Sequence, residues 1–222
     1  MAYLFLVRFF PIVTVDRKRV GIVIFDEVEV LDFCGPFEVF STTRLSEEHR
    51  REEASPSEVL LISQSGQRVQ TTGGMKVIAD ATFDRCPSLH ILVVPGGSGA
   101  RKEMSNPAML SFVRSRVSEV QTLASVCTGA FILGNAGLLD GLRATTHWRT
   151  LQTMQELFPN VTVDAKSHVV KAGMFITSAG ISAGIDMALV VVAEHCGEGI
   201  ARATARNMEY PFPETNERRI HL

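Results

Sequence analysis

Leu123-Ala124-Ser125-Val126-Cys127-Thr128-Gly129-Ala130-Phe131 is an apolar run that ends in a single cysteine and continues into a small, glycine-containing, helix-compatible segment. Read as strand, sharp turn and helix, it sets the Cys127 sulfur at the carboxyl end of a sheet strand. There the sulfur meets the amino end of the next helix. The partial positive charge of that end and its unpaired backbone N–H groups favour a thiolate. A thiol so placed is expected to ionise well below its free value of about 8.5 and to act as a nucleophile. The bland alternative is an inert buried cysteine, a common fate of free cysteine. The order strand, Cys, small residue, Gly favours the first reading, because it has the grammar of a nucleophile elbow.

Outward from this stretch, strands and helices alternate along the chain. Val20 to Phe25, Glu58 to Ser63, His90 to Val94 and Gln121 to Val126 are short continuous apolar runs, the pattern of strands buried on both faces. Between them, Leu31 to Phe40 carries Pro36, which suits the first turn of a helix bearing Phe37 and Phe40. Asn106 to Val120 fits a helix with Pro107 at its first position. Gln67 to Ala79 reads as a hairpin around Gly73-Gly74. After the elbow come a brief strand at Arg143 to His147 and a helix from Trp148 to Phe158. Strands at Val161 to Val163, Val169 to Lys171 and Met174 to Thr177 follow, then helices Ile181 to Cys196 and Glu198 to Tyr210. Such alternation predicts an α/β fold with a mostly parallel sheet and helices on both faces. Residues 1–19 form an arm of unassigned order, residues 20–212 the domain, and residues 213–222 a tail.

Composition narrows the function. The chain has 222 residues, 45% hydrophobic and 21% charged, with a net charge of −2 and a pI near 6.3. Nothing in that balance argues for nucleic acid or an anionic membrane surface. The apolar start, Met1 to Val7, is broken by Arg8 and Pro11 and is too short to span a bilayer, which takes about 20 residues. It lacks the marks of a signal peptide. Cys34, Cys86, Cys127 and Cys196 are far apart, with no CxxC and no zinc-type spacing. A reduced, cytoplasmic protein with free thiols, no metal and no cofactor is expected.

In open α/β sheets, sites form at the carboxyl ends of strands. Asp32, Gly96-Gly97, Cys127 and His147 all fall just after expected strands. Asp32, between Leu31 and Phe33, suits a carboxyl with a raised pKa that gives or takes a proton. It also suits a helix N-cap, and the residues alone favour the cap. Gly96 and Gly97 suit either an oxyanion hole or a plain tight turn. Thr128 offers a backbone donor and a hydroxyl for a proton relay, or merely a helix start. His147 suits proton shuttling or an ordinary hydrogen bond. Cys34 reads as packing, His168 has no motif around it, and His195 fits a helix carboxyl end.

The ordered set Val23-Ile24-Phe25, Leu31-Asp32, Gly35-Pro36-Phe37-Glu38-Val39-Phe40, Val93-Val94-Pro95-Gly96-Gly97, Ser125-Val126-Cys127-Thr128-Gly129, Arg143-Ala144-Thr145-Thr146-His147-Trp148 and Thr177 to Asp186 resembles a known family. It is that of the PfpI-type branch of the class I glutamine amidotransferase-like superfamily, over roughly residues 20 to 212. The resemblance implies a flavodoxin-like three-layer fold, a homodimer and a small-molecule substrate. The isonitrile-hydrating members are the nearest in pattern, which implies a hydro-lyase that turns an isonitrile into an N-substituted formamide. By the same resemblance Cys127 is the nucleophile, Asp32 the essential acid, and Thr128 the residue that follows the nucleophile. Gly96-Gly97 matches the oxyanion-side loop, and His147 a histidine near the cysteine. Cys34 departs from the pattern, and residues 1–19 lie outside it. Glyoxalase-like or amide-hydrolysing chemistry is the alternative for the same site. A ligand- or oxidation-sensing module is another, since the sensor halves of AraC-type regulators carry nearly the same stretches. Those regulators continue into a helix-turn-helix domain, whereas this chain reaches Leu222 without one.

Overall fold

The structure, a computed structural model, describes residues 17–220. Most of the expected arm, residues 1–16, and the last two residues of the tail lie outside that range. In chain order the elements are β1 (Lys18–Val23), α1 (Val30–Thr42), β2 (Ser57–Ser63), the hairpin β3 (Val69–Gln70) and β4 (Lys76–Val77), β5 (Ala81–Thr82), β6 (Ile91–Val94), α2 (Ala100–Glu103) and α3 (Pro107–Arg116). The second half adds β7 (Thr122–Val126), α4 (Gly129–Asn135), β8 (Arg143–Ala144), α5 (Leu151–Leu157), β9 (Thr162–Val163), β10 (Val169–Ala172), β11 (Phe175–Ser178), α6 (Ala183–Cys196) and α7 (Glu198–Asn207).

Seven strands form one sheet in the order β10-β11-β7-β6-β1-β2-β5. Every pairing is parallel except β10 with β11. The long strands thus run β2-β1-β6-β7-β11, the doubly wound flavodoxin-like order, whose switch point lies between β1 and β6. Helices α1, α6 and α7 pack together on one face, and α2, α3 and α4 on the other. The reason for this layering is visible in the strands. Ile91 to Val94 and Thr122 to Val126 are buried at every position, so both faces of the sheet need an apolar cover. Ile132 and Leu133 supply it from α4, and Met187 and Leu189 from α6.

Several local expectations change. Helix α1 starts at Val30, not beside Pro36, which sits in its interior. The start is set by a tertiary bond: Glu29 N–H donates to Gly96 O at 2.9 Å. Pro36 leaves the Asp32 carbonyl without its usual helical donor, and its ring packs toward Gly184 of α6. β1 opens at Lys18, ahead of Val20. Helix α3 stops at Arg116, where Val117 N–H turns to the tighter bond with Arg114 O. The expected helix from Trp148 begins as a 3₁₀ turn, because the His147 ring accepts from Arg149 N–H. The short elements β5 and α2 are additions that no periodicity announced. Tail residues to 220 lie along the body and are taken up below.

Candidate active site

Four loops converge at the carboxyl ends of β1, β6, β7 and β11. Cys127 follows β7 directly, with φ at +56°. A non-glycine residue in that region costs about 1–2 kcal/mol, so the surroundings must hold it. Cys127 N–H donates to Ala179 O at 3.1 Å and Ser178 O at 3.3 Å. The Thr146 hydroxyl donates to Cys127 O at 2.8 Å. Just after the turn, a Cβ on Gly129 would stand 2.0 Å from Val94 O, so only glycine lets the helix start this close to β6.

Asp32 is fully buried, at 0% exposure. It lies in the first turn of α1, but the N-cap is Glu29. The capping role that its residue type suggested is therefore not what it does. Its Oδ2 accepts from Gly96 N–H across the sheet at 2.9 Å, and Oδ1 is buried with no protein partner. Burial pushes its pKa up to about 8, against a pull downward from Gly96 N–H. The nearby Glu29 charge adds to the rise, and the Cys127 thiol and Ile181 N–H lower it by less. That shift favours the protonated carboxyl of Asp32 near neutral pH.

The sulfur reverses its expected behaviour. Cys127 is 7% exposed, and burial pushes its thiol up to about 12, with the Asp32 charge as the second cause. The N–H and hydroxyl of Thr128 and the N–H of Ile181 oppose this and lose. The helix end does act in the expected direction. Desolvation is the larger effect, as it usually is for a charge taken out of water. Burial favours a thiol beside a protonated acid, and once Asp32 carries a charge it further opposes ionisation of Cys127.

Gly96 and Gly97 also take a different part. Gly96 N–H is bonded to Asp32, and Gly97 N–H donates to Thr128 Oγ1 at 3.1 Å. Neither is free for an oxyanion. They hold the acid and the threonine in place instead. The Thr128 hydroxyl lies 3.2 Å from Gly97 O, to which it donates, and it also faces the Cys127 sulfur. A Cβ on Gly96 would lie 2.5 Å from Thr128 Oγ1 and 3.0 Å from Asp32 Oδ2. Gly96→Ala is therefore expected to displace both groups and cost at least about 10²-fold in turnover. Steady-state kinetics on the folded variant checks this.

His147 reaches the neighbourhood through Thr146, and its ring lies against Gly180, where a Cβ would stand 2.0 Å from His147 Cδ2. Its Nδ1 accepts from Arg149 N–H at 3.3 Å. Among the described residues it has no hydrogen bond to Cys127 or Asp32. Burial, then Arg149 and Arg218, hold it below its usual pKa. His168 bonds Asp186 at 3.0 Å, away from the sulfur. His195 lies at the opposite end of the sheet, against Thr122 and Lys18. Cys34 is half-buried and packs against the core.

One site residue escaped the sequence reading. Ile181 follows β11 with φ at +56°, strained for a β-branched residue, and its N–H faces both Asp32 and Cys127. Its signal is the glycine-flanked turn Gly180-Ile181-Ser182 at a strand end, which by residue type alone reads as the start of a helix. Cavities of about 770, 400 and 370 Å³ open elsewhere, and neither Cys127 nor Asp32 lines any of the three. Among the described residues no cluster of three metal-ligating side chains occurs. No helix among them is long and apolar enough to cross a membrane.

A doubly wound sheet, a strained cysteine between strand and helix, and a buried acid from the first turn of α1 define a flavodoxin-like α/β protein with a cysteine elbow. The chain belongs to the DJ-1/PfpI family, whose model matches residues 18–194. It is 34% identical over 197 residues to the isonitrile hydratase of Pseudomonas putida, covering 88% of this chain and 80% of that one. It is 30% identical over 149 residues to the HTH-type transcriptional regulator GbdR of Pseudomonas aeruginosa, covering 67% of this chain and 40% of the regulator. Among solved structures, a THiJ/PfpI family protein from Pseudomonas syringae superposes with a TM-score of 0.77 at 29% identity, covering 90% of this chain and 78% of that one.

Proposed function

We propose that this protein hydrates an isonitrile, R–N≡C, to the formamide R–NH–CHO at Cys127. The observation that carries the reading is the buried, proton-bearing Asp32 set beside the Cys127 thiol. The likeness to an isonitrile hydratase supports it. An isonitrile carbon bears a lone pair and must gain a proton before it accepts a nucleophile. Asp32 gives that proton to the carbon. The carboxylate left behind takes the proton from the Cys127 thiol, and the sulfur bonds to the same carbon. The product is a thioimidate, R–N=CH–S, on the Cys127 sulfur, with Asp32 an acid again.

Water then adds to the thioimidate carbon as the nitrogen gains a proton through Asp32. Collapse of the adduct breaks the C–S bond and returns the hydroxyl proton to sulfur, which frees the formamide and restores the thiol. Each proton transfer of this kind is worth about 10²–10⁴-fold. No leaving amine and no free oxyanion hole are needed. Amide hydrolysis needs both, and the Gly96 and Gly97 N–H groups are already engaged. The same reading takes neither metal nor cofactor. The reading includes a homodimer in the cytoplasm as expectations of the resemblance; sedimentation checks the first and cell fractionation the second.

The test is the formyl proton of the formamide, followed by NMR with a simple alkyl isonitrile. Formation that depends on Cys127 is expected. Turnover of methylglyoxal with none of isonitriles would overturn the reading. So would no turnover at all combined with selective oxidation of Cys127 at low peroxide, which belongs to a sensing module. Because Asp32 must carry its proton, kcat/KM is expected to fall as pH rises through about 8. A pH–rate profile checks this.

A further inference from the structure

Beyond α7 the chain returns across the body beside β10. The Asn216 side chain accepts from Val169 N–H at 2.9 Å and donates to Val169 O at 2.6 Å. Arg218 reaches further. Its backbone N–H donates to Lys166 O at 2.7 Å, and its Nε to Ala165 O at 2.9 Å. Its Nη2 donates to Thr145 Oγ1 at 2.7 Å and to Thr146 O at 3.1 Å. Thr145 and Thr146 are fully buried, and Thr146 is the residue whose hydroxyl holds the Cys127 carbonyl. Two bonded links thus join the tail to the strained elbow.

Arg218 is unusual in its partners. Among the described residues no carboxylate lies within ion-pair distance of it, and its bonds go to carbonyls and one hydroxyl. A guanidinium drawn partly out of water without a paired anion costs stability. What it gains here is a rigid fork that fixes two successive residues of one turn. Its charge also helps, after burial and Arg149, to hold His147 below its usual pKa.

We propose that Arg218 is a positioning residue of the cysteine site. Its guanidinium fixes the turn Thr145-Thr146-His147, and through the Thr146 hydroxyl it holds the Cys127 carbonyl as the elbow requires. The proposal rests on Cys127 as the reacting group. Its test includes a readout that does not depend on isonitriles.

In a background with Cys34, Cys86 and Cys196 replaced by Ala, iodoacetamide reports on Cys127 alone. Arg218→Ala is expected to relax the elbow and expose the sulfur, raising the alkylation rate about tenfold. The same change is expected to lower kcat for an isonitrile about tenfold or more, with KM little changed. Added guanidinium should restore both. Arg218→Lys keeps the charge but not the fork, so it should fall between and covers the case in which the alanine variant does not fold. Arg219→Ala is the control. Arg219 ties the same tail to Asp186 and Tyr210 but touches nothing in the turn, so it should lower the melting temperature and leave alkylation unchanged. An unchanged alkylation rate in both Arg218 variants overturns the proposal. So does an equal change in Arg219→Ala, which would make the tail merely structural. If the parent protein leaves isonitriles untouched, alkylation and guanidinium rescue still decide the matter.

Discussion

Asp32→Asn is expected to lose about 10³- to 10⁴-fold in isonitrile turnover while making the protein more stable at pH 8. The activity loss follows from the chemistry. The amide that replaces the carboxyl keeps an oxygen for Gly96 N–H but has no proton to give to carbon and no carboxylate to take one from sulfur. The stability gain follows from linkage. Asp32 titrates at about 8 in the folded chain, against an ordinary value of 3.8. The folded state therefore holds a proton that the unfolded chain releases between those values. Stability from that proton is fully present below about pH 4 and is lost as pH rises through about 8. Asparagine has no such dependence. The variant should gain on the parent steadily from pH 4 to 8, by about 1.4 kcal/mol per pH unit, and the gap should then level off. Urea melts of both proteins at several pH values measure this. A variant that is inactive and less stable at every pH would mean that Asp32 is a structural ion, contrary to the account.

Cys127→Ala is the second large effect. Loss of the nucleophile should reduce turnover about 10⁵–10⁶-fold, to background. Stability should change by less than about 1 kcal/mol, since alanine inherits the same strained backbone and the sulfur makes no strong bond there. Intact-protein mass spectrometry adds a positive sign. The parent protein, quenched in acid after mixing with an isonitrile, should carry the mass of one isonitrile on Cys127, and the alanine variant none. Residual turnover within tenfold of the parent would remove Cys127 from the mechanism. A small effect of this kind would leave Asp32 acting on water directly.

Part of the fold and of the site is legible in the sequence. The elbow could be read because an apolar strand, one cysteine and a glycine fix strand, turn and helix by local chemistry alone. The sheet was legible for the same reason: strands buried on both faces leave unbroken apolar runs. The start of α1 was not, because a bond from Glu29 to Gly96, distant in sequence, sets it. Pro36 pointed to a start within the first turn, and tertiary packing against α6 overrode that local preference. The charge state of the site is the least legible feature. A helix end beside Cys127 argued for a thiolate, yet the outcome turns on how deeply four loops bury Cys127 and Asp32 together. No window of sequence carries that burial. Ile181 escaped for a similar reason, since its role lies in a backbone N–H whose direction depends on a positive φ.

The glycine pair teaches the same lesson in reverse. Gly97 N–H meets Thr128, the residue after the cysteine, but the identity of the two glycines does not say what their N–H groups bind. Their bonds to Asp32 and Thr128 shift the site from an oxyanion hole toward a device that holds an acid. That shift favours addition to a neutral isonitrile over amide cleavage.

The central claim is that Asp32 is a neutral acid when the substrate arrives. Carbon-13 NMR of its side-chain carboxyl, assigned by difference against Asp32→Asn and followed from pH 3 to 10, reads that directly. The account predicts a midpoint at about 8. A midpoint near the ordinary 3.8 would leave the site without its proton donor at neutral pH and would contradict it.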